Sequence, residues 1–135
     1  MDKQQSSISL MSYALQLAAK GRFTTSPNPM VGCVVVRDGK IIGEGWHLRA
    51  GEEHAEAIAL GQAGNMAHSS EVYITLEPCA HFGRTGPCVN LLLEARVGSV
   101  IISSEDPNPL VRGNGIEKLK SAGIAVKLGP VSYTH

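Results

Sequence analysis

Four side chains of this 135-residue chain have the types and spacing for metal-assisted hydrolysis: His54, Glu56, Cys79 and Cys88. One imidazole and two thiolates suit zinc, a borderline-soft ion that favours nitrogen and sulfur ligands. Three protein ligands leave a fourth tetrahedral position open, which separates a catalytic site from a closed structural one. Water in such a position has its pKa lowered toward neutrality and becomes a nucleophile at physiological pH. Glu56 lies two residues past His54, and at the first turn of a helix that spacing can set its carboxylate beside the water. There it can take a proton and hand it to a ring nitrogen and then to a departing amine. Singly, a histidine or a pair of cysteines is most often core. It is the four together, with Pro78 ahead of Cys79, that point to zinc.

These residues must be positioned by a small α/β domain. Apolar residues at Met11, Ala14, Leu15 and Ala18 predict a helix over 9–20, stopped by Gly21. After a loop with Pro27 and Pro29, β-branched residues predict a strand over 31–36. Asp38-Gly39 marks a hairpin turn into an antiparallel second strand over 41–46. A helix is predicted over 54–62, with Ala55, Ile58 and Ala59 on its packing face, and a strand over 72–75. Residues 77–87 read as irregular. Further elements follow over 89–95 (helix), 100–102 (strand), 116–122 (helix) and 124–127 (strand). The order α-β-β-α-β-α-β-α-β predicts an α/β fold of three layers, with a mixed five-stranded sheet covered by helices on both faces. No repeat or linker divides the chain, so residues 1–135 read as one domain with an ordered core over about 7–129.

Composition narrows the partners. Lys plus Arg number 12 and Asp plus Glu number 12, so the net charge is zero. No basic stripe is visible, which argues against nucleic acid and for a small-molecule substrate. No apolar run is long enough for a membrane span, and the first residues lack a signal-peptide core, so a cytoplasmic setting is expected. Three cysteines in such a setting read as ligands or core residues rather than a disulfide framework. Cys33, inside an apolar strand, reads as a buried hydrophobe, and His68 and His135 as solvated residues without a role.

The pattern H-x-E followed by P-C is that of zinc-dependent nucleobase deaminases, which continue as P-C-x-x-C. Here eight residues, Ala80 to Pro87, separate Cys79 from Cys88. That longer loop resembles the deaminase domain of the bifunctional riboflavin-biosynthesis deaminase/reductase, of the cytidine-deaminase-like superfamily. The likeness includes Thr25-Ser26-Pro27-Asn28-Pro29-Met30-Val31-Gly32-Cys33, Gly43-Glu44-Gly45-Trp46-His47 and Ala50-Gly51-Glu52-Glu53-His54-Ala55-Glu56. It continues through Thr75-Leu76-Glu77-Pro78-Cys79-Ala80-His81-Phe82-Gly83-Arg84-Thr85 and Asp106-Pro107-Asn108-Pro109-Leu110-Val111.

The resemblance implies zinc held by His54, Cys79 and Cys88, with Glu56 as proton shuttle. It implies hydrolysis of 2,5-diamino-6-(5-phosphoribosylamino)pyrimidin-4(3H)-one to 5-amino-6-(5-phosphoribosylamino)uracil and ammonia. Substrate contacts would fall on Asn28, His47, His81, Arg84, Asp106 and Asn108. Without the resemblance, His47 and Arg84 would read as surface residues, and Asp106 and Asn108 equally as turn formers. Glu77 reads as structural, bonding backbone in its irregular segment. Gly86 and Arg112 depart from relatives, which often carry a proline at the first position and a basic residue two places after the second. The reductase domain of bacterial members is expected to be absent, the chain reading either as a domain cut from a longer enzyme or as a deaminase encoded apart from a separate reductase, and a homodimer is expected. The competing readings are a deaminase for another nucleobase, a nucleoside or tRNA adenosine, and a non-catalytic zinc-stabilised binding protein.

Overall fold

The computed structural model describes residues 3–20 (side chains from Ile8), 31–47, 54–79, 88–106 and 109–129. Within them lie four helices, α1 (Lys3–Ala19), α2 (Ala55–Ala63), α3 (Cys88–Ala95) and α4 (Asn114–Ser121). The strands are β1 (Gly32–Arg37), β2 (Lys40–Trp46), β3 (Glu71–Ile74), β4 (Ser99–Ile102) and β5 (Ala125–Leu128). The sheet order is β2-β1-β3-β4-β5. β1 pairs antiparallel with both β2 and β3, whereas β3, β4 and β5 run parallel. The sheet is therefore mixed and five-stranded, as the alternation of elements predicts.

Alternate residues of the central strands feed two cores. On one face Cys33, Val35, Val72, Ile74, Val100 and Ile102 pack against Ala55 and Ala59 of α2, Val89 and Leu92 of α3 and Leu119 of α4. On the other, Val34, Val36, Tyr73 and Ile101 pack against Met11, Ala14 and Leu17 of α1. Both faces of β1, β3 and β4 are thus buried, which explains why these strands are continuous apolar runs rather than alternating ones. The result is three layers, with α1 the one helix among the described residues on its side of the sheet.

The hairpin forms where Asp38-Gly39 predicts it, with φ of 53° and 77°. Positive φ at both central residues is the signature of the turn that matches strand twist. The first helix begins at Lys3 rather than 9, because residues 3–8 supply helix formers without apolar periodicity. Its inward face also differs: Leu17 is buried, while Leu15 is exposed.

Two glycines of β2 decide how α2 lies on the sheet. A Cβ at Gly43 would fall 2.1 Å from the carbonyl oxygen of Ala59, and one at Gly45 would fall 2.8 Å from that of Ala55. Bare backbone at these positions lets α2 press directly on the sheet edge, and α2 begins beside His54 and carries Glu56.

Candidate metal centre

Three segment ends converge on one point. His54 is the N-cap of α2, with extended backbone (φ −77°, ψ 165°) and a side chain that makes no cap hydrogen bond. Its imidazole instead turns to Cys88, Nδ1 lying 2.9 Å from Sγ. Cys88 is the first residue of α3. Cys79 follows β3 by five residues and is tied to the start of α3 twice, since the Cys88 N–H donates to its Sγ at 3.2 Å and the Val89 N–H to its carbonyl at 3.1 Å. The N-termini of α2 and α3 therefore both face the cluster, and their partial positive charge favours thiolates there.

The ligand atoms of His54, Cys79 and Cys88 all lie within 4.8 Å of one another. In a tetrahedral zinc site, bonds of about 2.0–2.3 Å place neighbouring N and S atoms about 3.5–3.8 Å apart. The separations here span that value, so small side-chain rotations suffice to close the set on an ion. Cys33 is fully buried in the core, as a small hydrophobe would be.

The electrostatics fit the same conclusion. Glu56 is 3% exposed. Burial pushes its carboxyl up to about 7 and the neighbouring Cys79 adds to the rise, while its own backbone N–H and the Cys88 thiol pull the other way. The Cys88 thiol is pushed well up, first by its hydrogen bond with Cys79 and then by burial and by Glu56. Burial also raises Cys33, with a smaller push from Glu56. Cys79 thus helps to hold the protons of both Glu56 and Cys88 on in a buried space. A divalent cation is the group that relieves such crowding, because it deprotonates coordinating thiols outright.

Of the expected substrate contacts, His47 and Asp106 lie among the described residues. Asn28, His81, Arg84 and Asn108 lie outside them, as does Gly86. His47 is brought to the cluster: it is 5% exposed, and its ring centroid lies 5.0 Å from that of His54 at a tilt of 47°. The Asp106 N–H donates to Glu77 Oε1 at 3.0 Å, two residues before Cys79, and the Asp106 carbonyl accepts from Arg112 Nε at 3.1 Å. Arg112 thus braces this loop. Glu77 is structural, as its place in an irregular segment predicts, but its reach is larger than sequence reasoning suggests: it accepts N–H groups from four residues. The packing role of Gly43 and Gly45 was missed as well, and glycines two apart inside a strand were the available signal.

An imidazole and two thiols gathered around a buried carboxylate, at helix starts packed on a mixed sheet, define the hydrolytic deaminase class. The model of the family described as the cytidine and deoxycytidylate deaminase zinc-binding region matches residues 4–104, and the chain belongs to that family, among its riboflavin-biosynthesis members. It is 54% identical over 122 residues to the diaminohydroxyphosphoribosylamino-pyrimidine deaminase of Buchnera aphidicola subsp. Schizaphis graminum, covering 90% of this chain and 83% of the relative. Among solved structures, RibD of Acinetobacter baumannii superposes with a TM-score of 0.93 at 49% identity over 95% of this chain and 36% of that one. The deaminase/reductase of Thermotoga maritima superposes with a TM-score of 0.87 at 41% identity, covering 95% of this chain and 37% of that one. The chain spans about a third of the length of most curated relatives it matches. No helix among the described residues is long and apolar enough to cross a membrane.

Proposed function

We propose that the chain is a zinc-dependent deaminase that hydrolyses 2,5-diamino-6-(5-phosphoribosylamino)pyrimidin-4(3H)-one to 5-amino-6-(5-phosphoribosylamino)uracil and ammonia, a step of riboflavin biosynthesis. The observation that carries this reading is the gathering of His54, Cys79 and Cys88 ligand atoms within 4.8 Å, with buried Glu56 against both cysteines. The choice of substrate rests on the Buchnera relative, a deaminase named for this compound and matched over most of its length.

In this reading His54, Cys79 and Cys88 hold the ion, which supplies Lewis acidity and makes water nucleophilic near neutral pH. Glu56 is the proton carrier. Its carboxylate takes the proton of the attacking water, protonates a ring nitrogen and then serves the departing amine. Water and substrate give the pyrimidinedione and ammonia, with no redox change. His47, packed on the His54 ring, and Asp106, tethered beside the Cys79 segment, are proposed to bound the substrate pocket. Asn28, Asn108, His81 and Arg84 complete the proposed contacts, with the Arg84 guanidinium as the partner proposed for the phosphate. The three free thiols fit a reducing, cytoplasmic setting.

The test is ammonia release from the diaminopyrimidinone phosphate, cytidine, guanine and tRNA, with zinc measured in untreated protein. Release from the first compound alone is expected. Activity on cytidine alone would overturn the substrate assignment.

A further inference from the structure

Glu77 sits between the metal ligands and the Asp106 loop, and its hydrogen bonds are unusual in number and origin. The side chain is 5% exposed. Oε1 accepts the backbone N–H groups of Asp106 at 3.0 Å and Gly113 at 3.1 Å. Oε2 accepts those of Gly115 at 2.9 Å and Ile116 at 3.3 Å. Four donors, two at each oxygen, can be satisfied in full only by a group that accepts at both atoms. They come from Asp106 on one side and from the first turn of α4 on the other, so one carboxylate gathers both.

The backbone is fitted to this junction. The Glu77 N–H donates to the Ser104 carbonyl at 2.8 Å, holding the strand ends together. A Cβ at Gly115 would fall 2.2 Å from the Pro78 carbonyl oxygen, so α4 can approach the Pro78-Cys79 segment only because this residue has none. Gly113 takes φ 86° to turn into α4. Arg112 Nε reaches back to the Asp106 carbonyl. Leu110, by contrast, is 87% exposed and gives the loop no apolar anchor. The cap for α4 could have come from a Ser or Asp at its own N-cap, the usual device. It comes instead from the segment that carries a metal ligand.

We propose that Glu77 is a positioning residue for the deamination: its carboxylate fixes Asp106 and the start of α4 to the Cys79 segment, and so sets where substrate is held relative to the metal centre. This rests on the reading above, in which Asp106 bounds the substrate pocket. It implies that Glu77 governs substrate binding more than the chemical step, because its four donors belong to Asp106 and the start of α4, whereas Glu56 lies on α2 and Cys88 on α3.

The variants that test this are Glu77→Gln and Glu77→Asp. Gln keeps the shape but turns an amide NH2 toward two N–H donors. Asp keeps both acceptors on a shorter arm. For Glu77→Gln, KM for the diaminopyrimidinone phosphate is expected to rise about tenfold or more while kcat changes less than about threefold and zinc content is unchanged, the pattern of lost substrate binding. Glu77→Asp is expected to recover most of the KM. Amide hydrogen exchange of Asp106, Gly113, Gly115 and Ile116 is expected to be slow in the wild type and to speed up in Glu77→Gln. An unchanged KM, or a fall in kcat together with zinc loss, would overturn the proposal. If wild-type protein fails to deaminate this compound, the substrate reading falls, and the exchange data decide the clasp by themselves. Fast wild-type exchange at those four amides overturns it even if neither variant folds.

Discussion

Glu56 and Glu77 are both buried, 3% and 5% exposed, yet the chain treats the two carboxylates oppositely. Glu77 meets four backbone N–H groups, two on each oxygen, supplied by a loop and a helix start. Glu56 meets its own backbone N–H and a thiol, with a second sulfur pressing on it, and its carboxyl is pushed up to about 7. A buried charge costs several kcal/mol unless hydrogen bonds or a counter-ion replace water. At Glu77 that replacement is complete, and the residue becomes a fixture of the fold. At Glu56 it is incomplete, leaving a carboxyl raised toward neutrality while no metal is bound and a site that gains from a cation.

The sharpest way to break this contrast is to remove the titrating proton. Glu56→Gln is expected to lower turnover by about 10²- to 10⁴-fold, while the protein stays folded and keeps its zinc. Turnover, metal content and melting temperature measured on one preparation would decide it, and near wild-type turnover would end the proton-carrier role. Cys88→Ala acts on the other side of the contrast by removing a ligand from the cluster. Zinc should be lost from the purified protein. Chelator treatment of the wild type should lower its melting temperature, whereas Cys88→Ala should be insensitive to chelator.

How much of this was legible beforehand depends on sequence distance. The hairpin is read from Asp38-Gly39 because a two-residue turn needs both φ values positive, a local demand. The layers are read from the apolar strands, since only helices on both sides can bury them. The ligands could be chosen by type, with His54 and Glu56 fixed by one helix start. The clasp could not be read, because the four donors to Glu77 lie 29, 36, 38 and 39 residues away. Nothing in Glu77-Pro78 states which distant amides will arrive. The strand order was equally hidden: placing β1 between β2 and β3 follows from long-range pairing, not from any pattern within β1.

Gly43→Ala sharpens the comparison by moving one carboxylate and leaving the other. The new methyl would meet the Ala59 backbone at 2.1 Å, and a backbone atom cannot swing aside, so α2 must lift from β2. A loss of about 3 kcal/mol is expected, the upper part of the overpacking range. Denaturant melts would measure it. Activity should fall with it, because Glu56 travels with α2, whereas amide protection at Gly115 and Ile116, held by Glu77, should change little. If both regions loosen together, the two carboxylates belong to one cooperative unit and the contrast is weaker than the hydrogen bonds indicate.

The smallest effect is the pH dependence of the metal-free protein. Folding raises Glu56 from 4.5 to about 7, so within that window the folded chain holds a proton that the unfolded chain has released. Raising the pH through the window therefore favours unfolding. The penalty is absent below 4.5 and complete above about 7. It amounts to up to about 2 kcal/mol once side chains relax around the charge. Metal-free wild type should accordingly lose stability relative to Glu56→Gln as pH rises across this range, and the difference should level off above it. Thermal melts of the two proteins at matched pH isolate this one group, because every other titrating residue is common to both. Glu77 and its four donors are the same in both proteins and should add no difference between them. Parallel curves would mean that Glu56 is as well partnered as Glu77, and its claim to carry the proton would lose its physical basis.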